Sequence, residues 1–157
     1  IIVCNTDFLS TPTGFGWCNQ SASSAYPSGN LNVLSFDTTK TTRRIMYAQH
    51  NTTLILQSCQ NIINPSIVRV ISEWTYNGYE DWLVPTLDDL YAIKTNTTII
   101  NQSLANGYKL QTGGQDYFSS TTFGTTNVFV VEFGIPYTGN SYLGVTSNAY
   151  VRPTRYF

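Results

Sequence analysis

Hydrolytic chemistry needs a nucleophile, a base and a group to orient the base, and this sequence offers few candidates for any of them. His50 is the single histidine. A catalytic triad needs an imidazole held by a carboxylate and facing a nucleophile, whereas His50 stands beside Asn51-Thr52-Thr53 with no supporting pattern. Ser119-Ser120-Thr121 places hydroxyls in a row, but no Gly-x-Ser-x-Gly elbow surrounds them. Hydroxyls that bond the backbone of a strand or turn are the expectation there. Cys4, Cys18 and Cys59 form no Cys-x-x-Cys pair, which argues against a cysteine zinc site. They permit one bridge, Cys18 with either neighbour, or three reduced thiols, and spacing leaves these open. Glu80, Asp81, Asp88 and Asp89 crowd into ten residues. Such an oxygen-rich cluster can hold Ca²⁺, but helix capping accounts for Asp88 and Asp89. No cofactor or metal is therefore expected, with Ca²⁺ as the alternative. Four Asn-x-Ser/Thr sequons, at Asn19, Asn51, Asn96 and Asn101, match what chance gives and carry no weight.

Composition narrows the partners. At 157 residues the chain fits one domain with a sizeable core. Charged residues are only 11% against about 25% in an average soluble domain, so the polar surface must come from Thr, Ser, Asn, Gln and Tyr. That composition is common on external proteins such as adhesins and phage receptor-binding parts. Eight Lys and Arg are spread thinly, with Arg43-Arg44 the one adjacent pair, and the net charge is −1. A phosphate-binding face needs clustered cations, so nucleic acid is not an expected partner. No apolar run approaches the roughly 20 residues of a membrane span. The opening Ile1-Ile2-Val3-Cys4 has neither an initiator Met nor a basic region before a long apolar stretch. This is the pattern expected of a chain processed or cut from a longer protein.

The elements that must position these groups follow from periodicity and turn chemistry. Residues 1–38 read as short strands and loops, with turns at Thr11-Pro12-Thr13-Gly14 and Tyr26-Pro27-Ser28-Gly29-Asn30 and strands at 14–17 and 31–35. Across 39–60, Ile45, Ala48, Thr52, Ile55, Leu56 and Cys59 share one helical face. Asn51-Thr52-Thr53 weakens its middle, predicting one imperfect helix or two pieces. Ile67-Val68-Arg69-Val70-Ile71 reads as a short strand or buried connector. Pro85-Thr86-Leu87-Asp88-Asp89 then opens a helix, with Asp89 standing in for the Glu of a capping box and the acids at its positive end. It should end by Asn96. From Tyr117 the pattern is β, with Phe129, Val131 and Phe133 on one face, and strands at 142–145 and 149–156. Without a repeat or linker, a single domain over 1–157 is expected.

One stretch is more specific. Asn77-Gly78-Tyr79-Glu80-Asp81-Trp82-Leu83-Val84-Pro85-Thr86-Leu87-Asp88-Asp89-Leu90, then Tyr117-Phe118-Ser119-Ser120-Thr121, Val128 to Gly134, and Val151-Arg152-Pro153-Thr154-Arg155 follow in order. Together they resemble the family of the Legionella collagen-like protein C-terminal domain. Residues 77–157 are the best-matching segment. Residues 1–38 match weakly, Phe118 stands where that family has Trp, and 61–76 look like an insertion. The resemblance implies an α+β, C-type-lectin-like fold, with two helices packed on a twisted, mainly antiparallel sheet carrying long loops. That outline is shared with formylglycine-generating enzymes, but no Cys follows Cys59, so their activity is not carried over. The Glu-Pro-Asn and Trp-Asn-Asp signatures of calcium-dependent lectins are also absent.

In this frame Trp82, Pro85, Thr86, Arg152 and Arg155 read as structural. Trp82 is suited to anchoring the helix against the sheet. Arg152 and Arg155, three apart on a strand, fall on opposite faces, so one is expected buried on a carboxylate such as Asp81 or Glu132 and the other near solvent. Recognition is expected on the late loops and strands, at Thr122, Phe123, Thr125, Asn127, Tyr137, Asn140 and Tyr142. Tyr and Asn supply rigid apolar area and adaptable hydrogen bonds. The expected function is a non-enzymatic, extracellular binding or adhesion module on a phage virion or bacterial surface, recognising a glycan or protein receptor. The alternative is a structural subunit that self-assembles into a filament or particle.

Overall fold

A computed structural model of the chain describes residues 1–9, 47–58, 66–105, 107–123, 127–135, 141–144 and 147–156. The strands expected at 14–17 and 31–35, the start of the helical stretch at 39–46, Cys18, Cys59, Thr125, Tyr137 and Asn140 lie outside the described residues. What is described is α+β, with helices packed on a mixed five-stranded sheet beside a two-stranded ladder.

Helix α3 (Leu87–Thr95) starts where local chemistry demands it. The Thr86 hydroxyl accepts the Asp89 N–H (3.1 Å), and the Asp89 carboxylate accepts the Thr86 N–H (2.9 Å). Two otherwise orphaned donors are thereby satisfied. Leu87, Leu90 and Ile93 recur every third residue and are all buried. Helix α1 (Ala48–Ser58) runs unbroken through Asn51-Thr52-Thr53. Thr53 returns its hydroxyl to the Gln49 carbonyl (3.0 Å), and the Asn51 amide reaches across to Ser120 Oγ (3.1 Å).

The expectation of two helices is corrected to four among the described residues. Ile67–Ser72, expected as strand or connector, is helix α2. Ser66 caps it by accepting the Arg69 N–H (3.2 Å), and Ile67, Val68 and Ile71 fall on one buried face. Burial on a helical stripe outweighs the β preference of its branched residues. Helix α4 (Thr97–Ser103) follows directly on α3 and buries none of its side chains, so it had no apolar stripe to announce it.

The large sheet has the order β2-β6-β3-β4-β5, comprising Phe8–Leu9, Tyr150–Val151, Asp116–Phe123, Asn127–Glu132 and Ser141–Gly144. Among the described residues only the β3–β6 pairing is parallel, at Tyr117 opposite Tyr150. Strand β4 is covered on both sides. Phe129 and Val131 meet Leu87, Leu90 and Ile93 of α3, while Val128 and Val130 belong to a second cluster with Ile55, Ile67, Ile71 and Trp82. Past β4, Gly134 takes φ 90°, where a Cβ would lie 1.6 Å from the Thr112 carbonyl oxygen. Only glycine allows that approach.

A polar seam joins helices to sheet. Strand β3 shifts register between Phe118 and Thr122, and the buried Ser119-Ser120-Thr121 in the shift bonds backbone. Ser120 donates both its N–H (2.7 Å) and its hydroxyl (3.2 Å) to the Pro85 carbonyl. Thr121 Oγ1 accepts the Leu87 N–H (3.2 Å), and Ser119 donates to the Phe129 carbonyl (2.9 Å).

The end of the chain closes the fold. After β6 the step Arg152-Pro153 leads into β7 (Thr154–Arg155), which pairs with β1 (Ile2–Val3) in the small ladder. Proline has no N–H to leave unpaired, and its carbonyl accepts the Cys4 N–H (2.8 Å). The Arg152 side chain is fully buried. Its Nε lies 2.5 Å from Asp7 Oδ1, and its Nη1 donates to the Cys4 (2.8 Å) and Tyr108 (3.0 Å) carbonyls. The other oxygen of Asp7 accepts from the Tyr117 hydroxyl (2.8 Å), which accepts the Gln111 N–H (2.8 Å). Burial pushes the Asp7 carboxyl up, opposed by the Arg152 charge. Burial and then the charge of Asp7 raise the Tyr117 phenol, keeping it a donor. The carboxylate that meets Arg152 is thus Asp7 and not Asp81 or Glu132.

Removing one member of a buried pair strands the other charge. Arg152→Met is expected to cost about 3–5 kcal/mol in urea denaturation, and adding Asp7→Asn to it should recover part of that loss.

Candidate functional site

Strands β3, β4 and β5 carry an exposed aromatic pair at one end of the sheet. Phe123 is the last residue of β3 and Tyr142 the second of β5. Register brings them together: Asn127 pairs with both Phe123 and Gly144, and Tyr142 lies opposite Phe129. The Phe123 and Tyr142 rings stack with centroids 4.6 Å apart and planes at 24°. The buried Phe129 ring supports them edge-on, 5.6 Å from Phe123. Phe123 is nonetheless 43% exposed and Tyr142 51%, so the pair is about half open to solvent, with half-buried Asn127 beside it. A flat π surface next to an amide suits a ring that is apolar on one face and hydroxylated at its edge.

Of the residues expected to recognise a ligand, the structure brings together Phe123, Asn127 and Tyr142. Thr122 is not on that surface. It is 1% exposed, because neighbours on a strand face opposite sides: Thr122 lies opposite the buried Val128, whereas Phe123 lies opposite Asn127.

The residues expected to be structural are placed as follows. Trp82 is buried in the cluster that includes Val84 and Phe118, with its indole N–H donated to the Tyr76 carbonyl (3.4 Å). Pro85 and Thr86 are buried at the start of α3. Arg155 reaches the surface, where its Nε and Nη2 meet the two oxygens of Asp81 at 2.8 and 3.0 Å. Its guanidinium lies 3.6 Å above the Tyr79 ring, a cation–π contact. The Arg155 bond holds the Asp81 carboxyl below its ordinary value.

Sequence reasoning missed the aromatic cluster behind this pair. Asn77 (φ 52°) and Gly78 (φ 78°) form a tight hairpin turn between Tyr76 and Tyr79, the Asn-Gly geometry of a two-residue loop. Trp74 stacks on Tyr76 at 4.6 Å, and both lean on Trp82. Tyr76 donates its hydroxyl to Asn5 (2.7 Å). A pocket of about 250 Å³ opens there between Ile2, Asn5, Tyr76, Tyr79 and Arg155. The alternation Trp74-Thr75-Tyr76 before Asn77-Gly78 was the available signal, although it lay partly in what looked like an insertion. Another acidic pair also went unread. Asp116 faces Glu132 across β3 and β4, and burial first, then the charge of Glu132, push the Asp116 carboxyl up.

The groups considered for catalysis are not assembled with one another. His50 is exposed with its ring 5.1 Å from Tyr47, while the Ser119, Ser120 and Thr121 hydroxyls are buried in the seam under α3. Cys4 is a free, buried thiol, pushed up by burial. Among the described residues no His, Cys, Asp and Glu side chains gather in a group able to hold a metal ion. No described helix is long and apolar enough to cross a membrane. No protein-family model, curated protein or solved structure matches this chain.

The Asp81–Arg155 contact yields a pH signature. Because the folded-state pKa of Asp81 is below 3.8, its contribution is present above that value and is lost as pH falls through the lowered one. Thermal melts of the wild type and Asp81→Asn should therefore differ near neutral pH and converge in acid.

Proposed function

We propose that this chain is a non-enzymatic binding module, carried on a phage virion or a bacterial surface, that recognises a glycan or protein receptor through its aromatic end. The observation that carries the reading is the Phe123–Tyr142 stack, held rigid from behind by Phe129 and left about half open to solvent. Large aromatics usually sink into a core. Two that stack in solvent beside an amide form a prepaid, low-entropy contact surface. The low charge content and the surface of hydroxyls and amides fit an external protein. The non-enzymatic part rests on the hydroxyls that might act as nucleophiles, which are already engaged with backbone groups. The finer reading of the fold, C-type-lectin-like, rests on the family resemblance across 77–157 and is compatible with the α+β arrangement.

A structural subunit that self-assembles is the second reading. Strand β5 favours it, since it ends the sheet among the described residues and exposes Ser141 and Tyr142. Such an edge can template pairing with another chain. Sedimentation distinguishes the two: a monomer at high concentration removes the assembly reading.

For the binding reading, Phe123→Ala and Tyr142→Ala should each reduce whole-cell or glycan-array binding by roughly tenfold or more. Both rings are about half exposed, so each truncation should cost under about 1.5 kcal/mol of stability. Wild-type binding by both variants, with intact melts, would remove the aromatic end from the site.

A further inference from the structure

The hairpin tip at Asn77-Gly78 brings together two groups that react with each other. Asparagine is among the thermolabile side chains, because its amide is electrophilic at Cγ and the backbone nitrogen of the next residue can close a five-membered ring on it. The ring closes only where that next residue leaves room, and glycine leaves the most. A Cβ built on Gly78 would meet nothing within 4 Å. Residues 77–81 are all exposed. Among the described residues no hydrogen bond engages the Asn77 amide or the Gly78 N–H.

The fold holds this tip lightly. Backbone bonds close it from the Tyr76 N–H to the Tyr79 carbonyl (2.9 Å) and from the Tyr79 N–H to the Tyr76 carbonyl (3.1 Å). The closed turn fixes the Asn77 backbone, so ring closure proceeds through local opening of the tip. An exposed turn of this kind opens far more readily than the whole fold.

We infer that Asn77 is a site of self-modification, at which the chain converts its own amide to aspartate and isoaspartate without an enzyme. Gly78 N gives up its proton and bonds to Asn77 Cγ. The Cγ–Nδ2 bond breaks, and Nδ2 leaves as ammonia with that proton. The resulting succinimide adds water. If its bond from nitrogen to Cγ breaks, aspartate forms on an unaltered backbone. If its bond to the main-chain carbonyl carbon breaks, the backbone runs on through Cβ and Cγ and is one carbon longer. The longer route cannot keep a two-residue turn, whose paired bonds depend on its backbone twist. Tyr76 stacks on Trp74 at 4.6 Å and meets Trp82 edge-on, so the isoaspartate form loosens the aromatic cluster at the root of the hairpin. Asn77 also lines the pocket there, and both products put a new carboxylate on its rim.

Trypsin cuts after Arg69 and Lys94, and Asn77 is the only amide side chain in between. The chain's other Asn-Gly, Asn106-Gly107, falls in a different fragment. The test ages the full chain for days in neutral and mildly alkaline buffer and then digests it briefly. Fragment 70–94 should gain about 1 Da and split into two new peaks, one of them a substrate for isoaspartyl methyltransferase. The gain should be several times faster in alkali, because the nitrogen must lose its proton. It should be slower in the folded chain than in the isolated fragment, because the turn must open. Asn77→Gln, one carbon too long for the five-membered ring, should hold its mass. Near-ultraviolet circular dichroism should weaken in the aged wild type, but not in aged Asn77→Gln or fresh Asn77→Asp. The mass readout needs no variant and stands if Asn77→Gln misfolds. The proposal is overturned if fragment 70–94 keeps its mass through ageing, if no methylatable form appears, or if aged wild type and aged Asn77→Gln lose the aromatic signal equally.

Discussion

Asp7 and Arg152 sit where the two sheets meet, and the rest of the fold is arranged to make their burial tolerable. Removing two charges from water costs several kcal/mol each unless geometry and hydrogen bonds compensate. Here the guanidinium is met by one carboxylate oxygen and by the carbonyls of Cys4 and Tyr108, and the other carboxylate oxygen is met by Tyr117. Those partners come from β1's neighbour Cys4, the loop after α4 and the start of β3. One ion pair thereby fixes three otherwise separate parts of the chain. Such a pair adds little net stability over a well-packed apolar substitute. What it excludes is any arrangement in which one of its members is buried without the other.

The second organising feature is neutral. Of three consecutive hydroxyls in β3, those of Ser120 and Thr121 take over backbone groups at the start of α3, where a helix always leaves donors unpaired, and that of Ser119 bonds the neighbouring strand β4. Tyr156 adds its hydroxyl to the same Asp89 carboxylate that caps the helix. Residues that would read as nucleophiles in another setting thus act as mortar between helix and sheet. This leaves the chemistry of the surface to aromatic faces, amides and the few polar atoms that the frame does not engage.

How far the sequence disclosed this depends on how local each cause is. The start and end of α3 were legible because Pro85, Thr86 and Asp89 act within a few positions of one another. The two faces of β4 were legible through simple alternation. Helix α2 was not, since Ile67 to Ile71 are apolar and branched and fit a strand or a buried helix equally well; Ser66, whose hydroxyl decides it, looks like any loop serine. At the aromatic end, Phe123, Asn127 and Tyr142 were identified by type, but their stacking depends on strand register. Thr122 was misplaced because adjacent residues of a strand face opposite sides, so it cannot share a surface with Phe123. The partner of Arg152 was hidden by distance, since nothing near the C-terminal strands points to residue 7.

The join between the two ends of the chain has a consequence for how the protein is made. Arg152 bonds a residue 148 positions earlier, and a ribosome adding about 5–20 residues per second leaves Asp7 without its countercharge for on the order of ten seconds. Strand β1 waits equally long for β7, and β2 for β6. Contacts so remote in sequence are slow to form, so the nascent chain can gather its helices but cannot close its sheets until the last strands emerge. Emergence of residues 150–155 becomes the checkpoint: a chain that stops before them holds an acid it cannot bury and sheets with open edges, and such a chain is the natural client of chaperones and proteases.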